Sequence, residues 1–423
     1  MRILLERGDI AQIVRDMAQA HARQFFLRAD CPNLSALPPE HRQATATSAL
    51  EFFNLDVELL ASLEQAKTLE QRADIIYGAL RQKSSFSITF RTSGSTGRPN
   101  ACSFSAGELA EEARSLAGFF AGIKRVVAVA PVHHVYGFAF ALILPKFLGI
   151  PALHLHPLTT ADFFRTLCAG DMLLAFPLFW ASILKMSQNG ITIPIPDDLR
   201  GVTSGAPCAP GIIAGLLGTG AGGRRPFLSE MTEIYGATEF GAVGIRRDRL
   251  KSYALLPHWR RARVETETAG DDIMPVEWGI RRLSGKPLPM PDILDWKDER
   301  GFIPVKRKDK AVQVSSINVF PARIADMMRA HPQVCDCAVR LMCPEEGDRL
   351  KAFVVPAKSD CIGDEQAERH FRQTLKTWLA ERLVPAAIPK SIVFGKALPR
   401  TLSGKTANWR IPQRGWEGHD GTV

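Results

Sequence analysis

The sequence predicts an α/β protein: a large N-terminal domain built on mostly parallel, helix-covered sheet, followed by a small C-terminal α+β domain. Three observations carry that expectation. From residue 85 to about residue 204, short β-branched runs alternate with helical ones, and such a βαβα rhythm joins parallel strands through crossover helices. The charged stretch DILDWKDERGFIPVKRKDK (292–310) then breaks the rhythm, and a separate compact pattern lies beyond it. Finally, 423 residues exceed what one hydrophobic core usually organises.

Residues 1–84 read as mainly helical, because Ile10, Ile13, Val14 and Met17, and again Leu69, Ala73, Ile76 and Leu80, recur at helical spacing. Phe86, Ile88 and Phe90 then alternate with polar residues as a half-buried strand, and a Gly/Ser/Thr-rich loop follows directly. Ser105 and Glu108 form a capping box opening a helix that should run to Phe120. The next elements are a strand at 126–130, a helix at 138–147, a strand at 152–156, a helix from Ala161, a strand at 172–176, a helix from Phe179 and a short strand before Ser204. The C-terminal pattern is helix (321–330), strand (337–342), strand (352–355) and long helix (365–382). We place the domains at 1–306 and 307–423.

Composition excludes several classes. With 46% hydrophobic and 23% charged residues, the chain is globular rather than disordered. The start MRILLERGDIAQIV carries charges where a signal peptide needs an apolar run, and no stretch reaches the roughly 20 apolar residues of a membrane span. A cytoplasmic location is expected. The eight cysteines are scattered, and only Cys335 and Cys337 lie close together, so buried reduced thiols are expected rather than a zinc site or disulfide framework. The net charge of +9 attracts polyanions without choosing among them, and no aromatic-interleaved basic cluster of a nucleic-acid module is present.

Four short motifs carry chemistry. Thr92-Ser93-Gly94-Ser95-Thr96-Gly97-Arg98-Pro99-Asn100 lies between a strand and a helix; its glycines let backbone approach phosphates while amides and hydroxyls donate to anionic oxygens. It lacks the Gly-Lys-Ser/Thr ending of a Walker A loop. In Tyr235-Gly236-Ala237-Thr238-Glu239, preceded by Ser204-Gly205-Ala206-Pro207, an aromatic face can stack on a base, a hydroxyl can bind phosphate and a carboxylate can hold Mg²⁺. Asp292 and Arg307 can bind a sugar's hydroxyls and a neighbouring phosphate. In Pro399-Arg400-Thr401-Leu402-Ser403-Gly404-Lys405, a lysine on a Gly/Ser loop can be delivered to a transition state as a point charge. Each alone is equally an ordinary turn, linker or surface tail.

In this order and together, the four motifs resemble the adenylate-forming superfamily, which includes acyl-CoA synthetases, aryl-CoA ligases, luciferases and the adenylation domains of peptide synthetases. TSGSTGRPN is similar to its phosphate loop, YGATE to its adenine and magnesium motif, LPRTLSGK to its catalytic-lysine motif, and KRKDKAVQVSSINVFP to its hinge region. The resemblance spans about Phe86 to Arg410. It implies a small C-terminal lid that turns about Asp309 between two half-reactions. It also implies ATP phosphates on Thr92, Ser93, Gly94, Ser95, Thr96 and Gly97, and adenine at Tyr235 and Gly236 with Gly205 and Ala206 alongside. Thr238 would meet the α-phosphate, Glu239 the Mg²⁺, Asp292 and Arg307 the ribose, and Lys405 the reacting centre. His134, in PVHHVYGF, matches an acyl-pocket position of relatives, and a packed core histidine fits it equally.

The departures bear on the acceptor. Asn100 stands where a lysine usually closes the phosphate loop, Gln313 replaces a lysine after the hinge, and Ser315-Ser316 replace a glycine pair near the incoming thiol; the phosphate loop also begins unusually early, at residue 92. These weaken a claim on free CoA. The apolar run Phe176-Pro177-Leu178-Phe179-Trp180, with the Gly241-Ala242 pair after the magnesium motif, suggests a flat, mostly apolar pocket for an aryl or short unsaturated acid. Short relatives of this kind resemble the ligases of aryl-polyene and xanthomonadin-type pathways, which load hydroxybenzoate-like acids onto an acyl carrier protein. Three readings therefore stand: such a carrier-loading ligase, a ligase using CoA, and a non-catalytic nucleotide-binding relative.

Overall fold

The computed structural model describes residues 5–22, 34–91, 100–155, 161–188, 195–219, 226–248, 250–264, 277–283, 285–308, 311–315, 317–343, 345–358, 362–399 and 407–411. The chain forms two compact units, Met1–Val305 and Lys306–Val423.

In the first unit, helices Arg7–Ala22, Pro39–Phe52 and Leu69–Gln82 precede the antiparallel pair β1 (Ser87–Arg91) and β2 (Ala101–Ser105). The apolar spacing that predicts these helices has its expected cause: Ile10, Ile13, Val14, Leu69 and Ile76 are all fully buried in one core. Leu69–Gln82 opens on a capping box of Thr68 and Gln71. The expected Ser105/Glu108 capping box is present too, with the Glu108 amide donating to Ser105 Oγ at 3.2 Å and the Ser105 amide to Glu108 Oε2 at 2.8 Å. That helix ends at Ala117, short of Phe120, with Gly118 following.

Among the described residues, the main sheet has nine strands. β3 (Arg125–Ala128), β4 (Ala152–His154), β5 (Asp171–Ala175), β6 (Arg200–Thr203), β7 (Glu230–Ala237), β8 (Gly241–Arg246), β9 (Tyr253–Leu255), β12 (Asp292–Trp296) and β13 (Gly301–Arg307) lie in the order β12-β13-β9-β8-β7-β6-β5-β3-β4. From β4 to β7 every pairing is parallel, as the βαβα rhythm requires, and from β7 to β8 and β9 the sheet continues antiparallel. Alternate residues face opposite ways along each strand. Val126, Ala128, Met172 and Leu174 enter one core, whereas Val127, Leu173 and Ala175 enter a second. Burial on both faces is what makes these strands read as unbroken apolar runs. β10 (Trp259–Val264) and β11 (Glu277–Arg282) form a separate antiparallel ribbon.

Two expectations change in detail. The helix expected at 138–147 is a π-helix, Phe138–Ile143, leading into an α-turn Leu144–Leu148; Pro145 cannot donate a backbone hydrogen bond, so it sits where a helix begins. The cysteines are not all buried: Cys208 and Cys337 are, but Cys168 and Cys335 are exposed. Among the described residues no cysteine is disulfide-bonded, and no helix is long and apolar enough to cross a membrane.

The second unit holds the hairpin β14 (Val312–Val314) and β15 (Ile317–Val319), helix Pro321–Arg329, the sheet β16 (Val334–Leu341), β17 (Leu350–Pro356) and β18 (Ser391–Phe394), and helix Glu365–Ala380. The long helix is capped by Asp364, which accepts from the amides of Gln366 and Ala367. β18 pairs parallel with β17; at four residues it is too short for a strand pattern to stand out.

Candidate active site

The site grows from the carboxyl ends of β6 and β7, where an open parallel sheet leaves loops free to bind ligands. After β6, Gly205 takes φ +84°, a conformation open to glycine at little cost. Ser204 Oγ donates to the Ile234 carbonyl at 3.0 Å, which ties the Ser204-Gly205-Ala206 loop to the residue before Tyr235. Two segments that lie apart in sequence thus share one end of the sheet.

β7 and β8 form a hairpin whose turn is Ala237-Thr238-Glu239-Phe240. The Phe240 amide donates to the Ala237 carbonyl at 3.0 Å, and Gly241 follows at φ +74°, the pattern of a turn closed by a left-handed residue. A register shift between Tyr235 and Gly236 bends the strand there, as bulges beside sites do. The backbone is too tight for a side chain: a Cβ on Gly236 would lie 2.3 Å from the Gly241 carbonyl oxygen. The outcome is an exposed Glu239 carboxylate at the tip, with Thr238 half-buried beside it.

Tyr235 is held at its own end of the hairpin. Its ring packs against Phe302 (centroids 5.3 Å) and Tyr253 (5.8 Å), and its hydroxyl donates to Asp292 Oδ2 at 2.5 Å. The structure therefore joins two of the motif residues singled out from the sequence, 57 positions apart. Burial raises the Cys102 thiol, and the charge of the Glu239 carboxylate raises it further. Cys102 lies on β2, just after residues 92–99. Thr92, Ser93, Gly94, Ser95, Thr96 and Gly97 themselves lie outside the described residues, as do Asp309, Ser316 and Lys405. Asn100 is exposed just before β2, and Arg307 ends β13.

Beneath the turn lies a residue the motif analysis passed over. Glu112, on helix Ala106–Ala117, is 2% exposed, and its Oε1 accepts from the Ala242 amide at 3.0 Å across 130 positions. Its other oxygen would lie 2.2 Å from a Cβ on Gly241, so Gly241 answers to the carboxylate as well as to the turn. Burial pushes the Glu112 carboxyl up to about 7, with the Ala242 amide and the Arg282 charge opposing. A signal did exist: Glu112 shares the buried face of its helix with Leu109, Ala113 and Leu116, an acid set within an apolar stripe.

The acid-pocket expectations divide. His134 is exposed, its ring 4.2 Å from that of His133, so it is not a packed core histidine. Phe179 and Trp180 require correction. They are 3% and 0% exposed inside the second core, with Phe179 edge-on to Phe163 and Trp180, because their helix turns its most apolar face to the sheet; they are core residues rather than pocket walls. The hydroxyl of half-buried Tyr136 donates to the carbonyls of Val202 (2.9 Å) and Ala175 (3.2 Å), stitching the ends of β5 and β6. Gly137 is obligatory, since its Cβ would lie 2.1 Å from the Pro131 carbonyl oxygen.

A Mg²⁺ ion is compatible with this donor set in one way. Among the described residues no group of three or more His, Cys, Asp or Glu could hold a metal, so those residues form no all-protein cage. A single exposed carboxylate, Glu239, suits an ion that arrives on nucleotide phosphates and keeps several waters.

Comparison with known proteins shows the family and the fold. Residues 22–289 match the family described as AMP-binding enzyme, and residues 324–405 match the AMP-binding enzyme C-terminal domain. The 4-coumarate–CoA ligase of Halorhodospira halophila is 34% identical over 361 residues, 85% of this chain and 85% of that protein. The 4-coumarate–CoA ligase of Cereibacter sphaeroides is 32% identical over 328 residues, 76% of this chain and 70% of that protein. In fold, the chain is similar to a double mutant of o-succinylbenzoate CoA synthetase from Bacillus subtilis bound with its product analogue (TM-score 0.61, 15% identity, 95% of this chain and 92% of that one). It is similar as well to an amide bond synthetase from Marinactinospora thermotolerans (TM-score 0.58, 17% identity, 94% and 93%).

Proposed function

The chain belongs to the AMP-binding enzyme family, as an acid–thiol ligase that forms an acyl-AMP, and from that premise we propose that it activates an aryl acid and loads it onto the phosphopantetheine thiol of an acyl carrier protein. The observation that carries the nucleotide site is the bond from Tyr235 to Asp292. It holds side by side the Tyr235 ring, which would stack on the base, and the Asp292 carboxylate, which would bind the ribose.

In the first half-reaction a carboxylate oxygen of the acid attacks the α-phosphorus of ATP, and pyrophosphate leaves. Negative charge develops on the phosphate oxygens, so cations and donors placed in advance lower the barrier. Thr238 would donate to the α-phosphate and Lys405 would supply an ammonium at the reacting centre. Glu239 would hold Mg²⁺, which when bound neutralises phosphate charge. In the second half-reaction a thiol sulfur attacks the acyl carbonyl and AMP departs; a swing about Asp309 would withdraw Lys405 and admit the thiol.

The aryl acid is supported by the relatives' names, which specify 4-coumarate. A carrier protein is supported by Asn100, Gln313 and Ser315-Ser316, which replace residues that in relatives lie by the phosphates and the thiol, and by a net charge of +9 that suits an acidic partner. The second reading is transfer to free CoA, favoured by the names of those same relatives. Acid-dependent exchange of labelled pyrophosphate into ATP, screened over benzoates, cinnamates and fatty acids, should be positive for an aryl acid. A blank panel would sink the adenylation chemistry in favour of a non-catalytic nucleotide-binding role. With the acid known, thioester formation on CoA and on a phosphopantetheinylated carrier separates the acceptors, and thioester on CoA alone would overturn the carrier reading.

A further inference from the structure

Lys351 in β17 is fully buried, a costly place for an ammonium unless every proton finds a partner. Its Nζ donates to Glu346 Oε2 at 2.6 Å and to the Trp409 carbonyl at 2.5 Å, and it lies 5.3 Å from the centroid of the Trp409 ring. Glu346 turns its other oxygen to the same segment, where Oε1 accepts from the Ile411 amide at 3.1 Å. The Cys343 amide completes the set by donating to Glu346 Oε2 at 3.0 Å.

These bonds fasten residues 409–411 to the sheet of the second unit. Just upstream, the Ala407 amide donates to the Pro399 carbonyl at 2.8 Å, so the residues on either side of the lysine motif meet at one point. Trp409 is itself 7% exposed, with its ring against Phe353 at 5.8 Å. Burial opposes ionisation of Glu346, but the Lys351 ammonium and the amides of Cys343 and Ile411 outweigh it and hold the carboxyl down at about 2. Glu346 is therefore a carboxylate at neutral pH.

We infer that Lys351 and Glu346 are positioning residues for adenylation: by anchoring the chain immediately after Lys405, they set where that lysine is presented. The inference rests on the proposed role of Lys405 in the first half-reaction. It has a consequence that plain structural support lacks. Because Lys405 is withdrawn during thioester formation, loosening its anchor should slow one half-reaction and spare the other.

The test measures the two steps separately in the full chain. Adenylation is read as pyrophosphate exchange with 4-coumaric acid and ATP, and transfer as thioester formation from synthetic coumaroyl-AMP with CoA and with a phosphopantetheinylated carrier. Lys351→Met alone strands the Glu346 charge and risks unfolding, so Lys351→Met/Glu346→Leu, which removes both charges, is made beside it. Exchange should fall on the order of 10-fold or more while transfer stays within about twofold, since small displacements of a reacting group are costly. In a Lys405→Ala background the pair substitution should lower exchange no further, because the anchor acts only through that lysine. Normal exchange in the pair variant, an equal fall in both half-reactions, or full additivity with Lys405→Ala would overturn the inference alone. Normal exchange in Lys405→Ala would overturn the underlying reading, and the inference with it.

Discussion

The Tyr235 hydroxyl and the Asp292 carboxylate meet at 2.5 Å, which makes the adenine and ribose positions of the proposed nucleotide site a single hydrogen-bonded unit. Tyr235 is the last residue of β7 before the bulge, and Asp292 is the first of β12, so the two meet through their side chains although three strands separate β7 from β12 in the sheet order.

Tyr235→Phe keeps the ring and removes the donor to a charged acceptor, an interaction of about 1.5–3 kcal/mol. The KM for ATP in pyrophosphate exchange should rise on the order of 10-fold, with kcat changed less. An unaltered KM would detach this pair from nucleotide binding.

Glu239→Gln and Lys405→Ala each remove a charge assigned to the α-phosphoryl transition state. Exchange should fall by about 10²-fold or more in each, and Glu239→Gln should in addition need more Mg²⁺ to reach its maximum. A Mg²⁺ titration overlaying that of the unaltered enzyme would remove Glu239 from the metal site.

Glu112 gives stability a pH dependence of definite sign. Below its ordinary value of 4.5 the carboxyl is protonated in both the folded and the unfolded chain. Between there and about 7 the folded chain keeps a proton that the unfolded chain releases, so stability falls as pH rises through that window, by about 3 kcal/mol in all. Glu112→Gln keeps the shape and an acceptor for the Ala242 amide while abolishing the titration. Urea melts from pH 5 to pH 8 should show a flatter profile for the variant; parallel profiles would mean that Glu112 is ionised throughout.

Gly236→Ala places a methyl 2.3 Å from the Gly241 carbonyl oxygen, where backbone and not a flexible side chain must yield. A loss of about 1–3 kcal/mol is expected, read as a lower melting temperature with a matching drop in exchange. A variant as stable and active as the parent would show that the hairpin has more room than its backbone allows.

Helical spacing, the capping box of Ser105 and Glu108 and the alternation of strands with helices are local signals, and the helices and strands they foretold form because local residues supply their cause, although Phe138–Ile143 winds as a π-helix. Chemistry-bearing motifs were legible for the same reason, being short runs whose residue types suit phosphate, base or metal. Phe179 and Trp180 misled because an aromatic pair on a helix looks the same whether it lines a pocket or fills a core, and only packing against β5 and its neighbours separates the two.

What the sequence by itself determined is therefore the set of elements, their order and the residue types able to handle a nucleotide. Tertiary structure alone decided which of them meet. Tyr235 reaches Asp292 across 57 positions, Glu112 reaches Ala242 across 130, and Lys351 reaches Trp409 across 58. No local pattern encodes such a contact, because its partners are chosen by sheet order and strand register, which follow from the burial of whole faces rather than from any single run of residues.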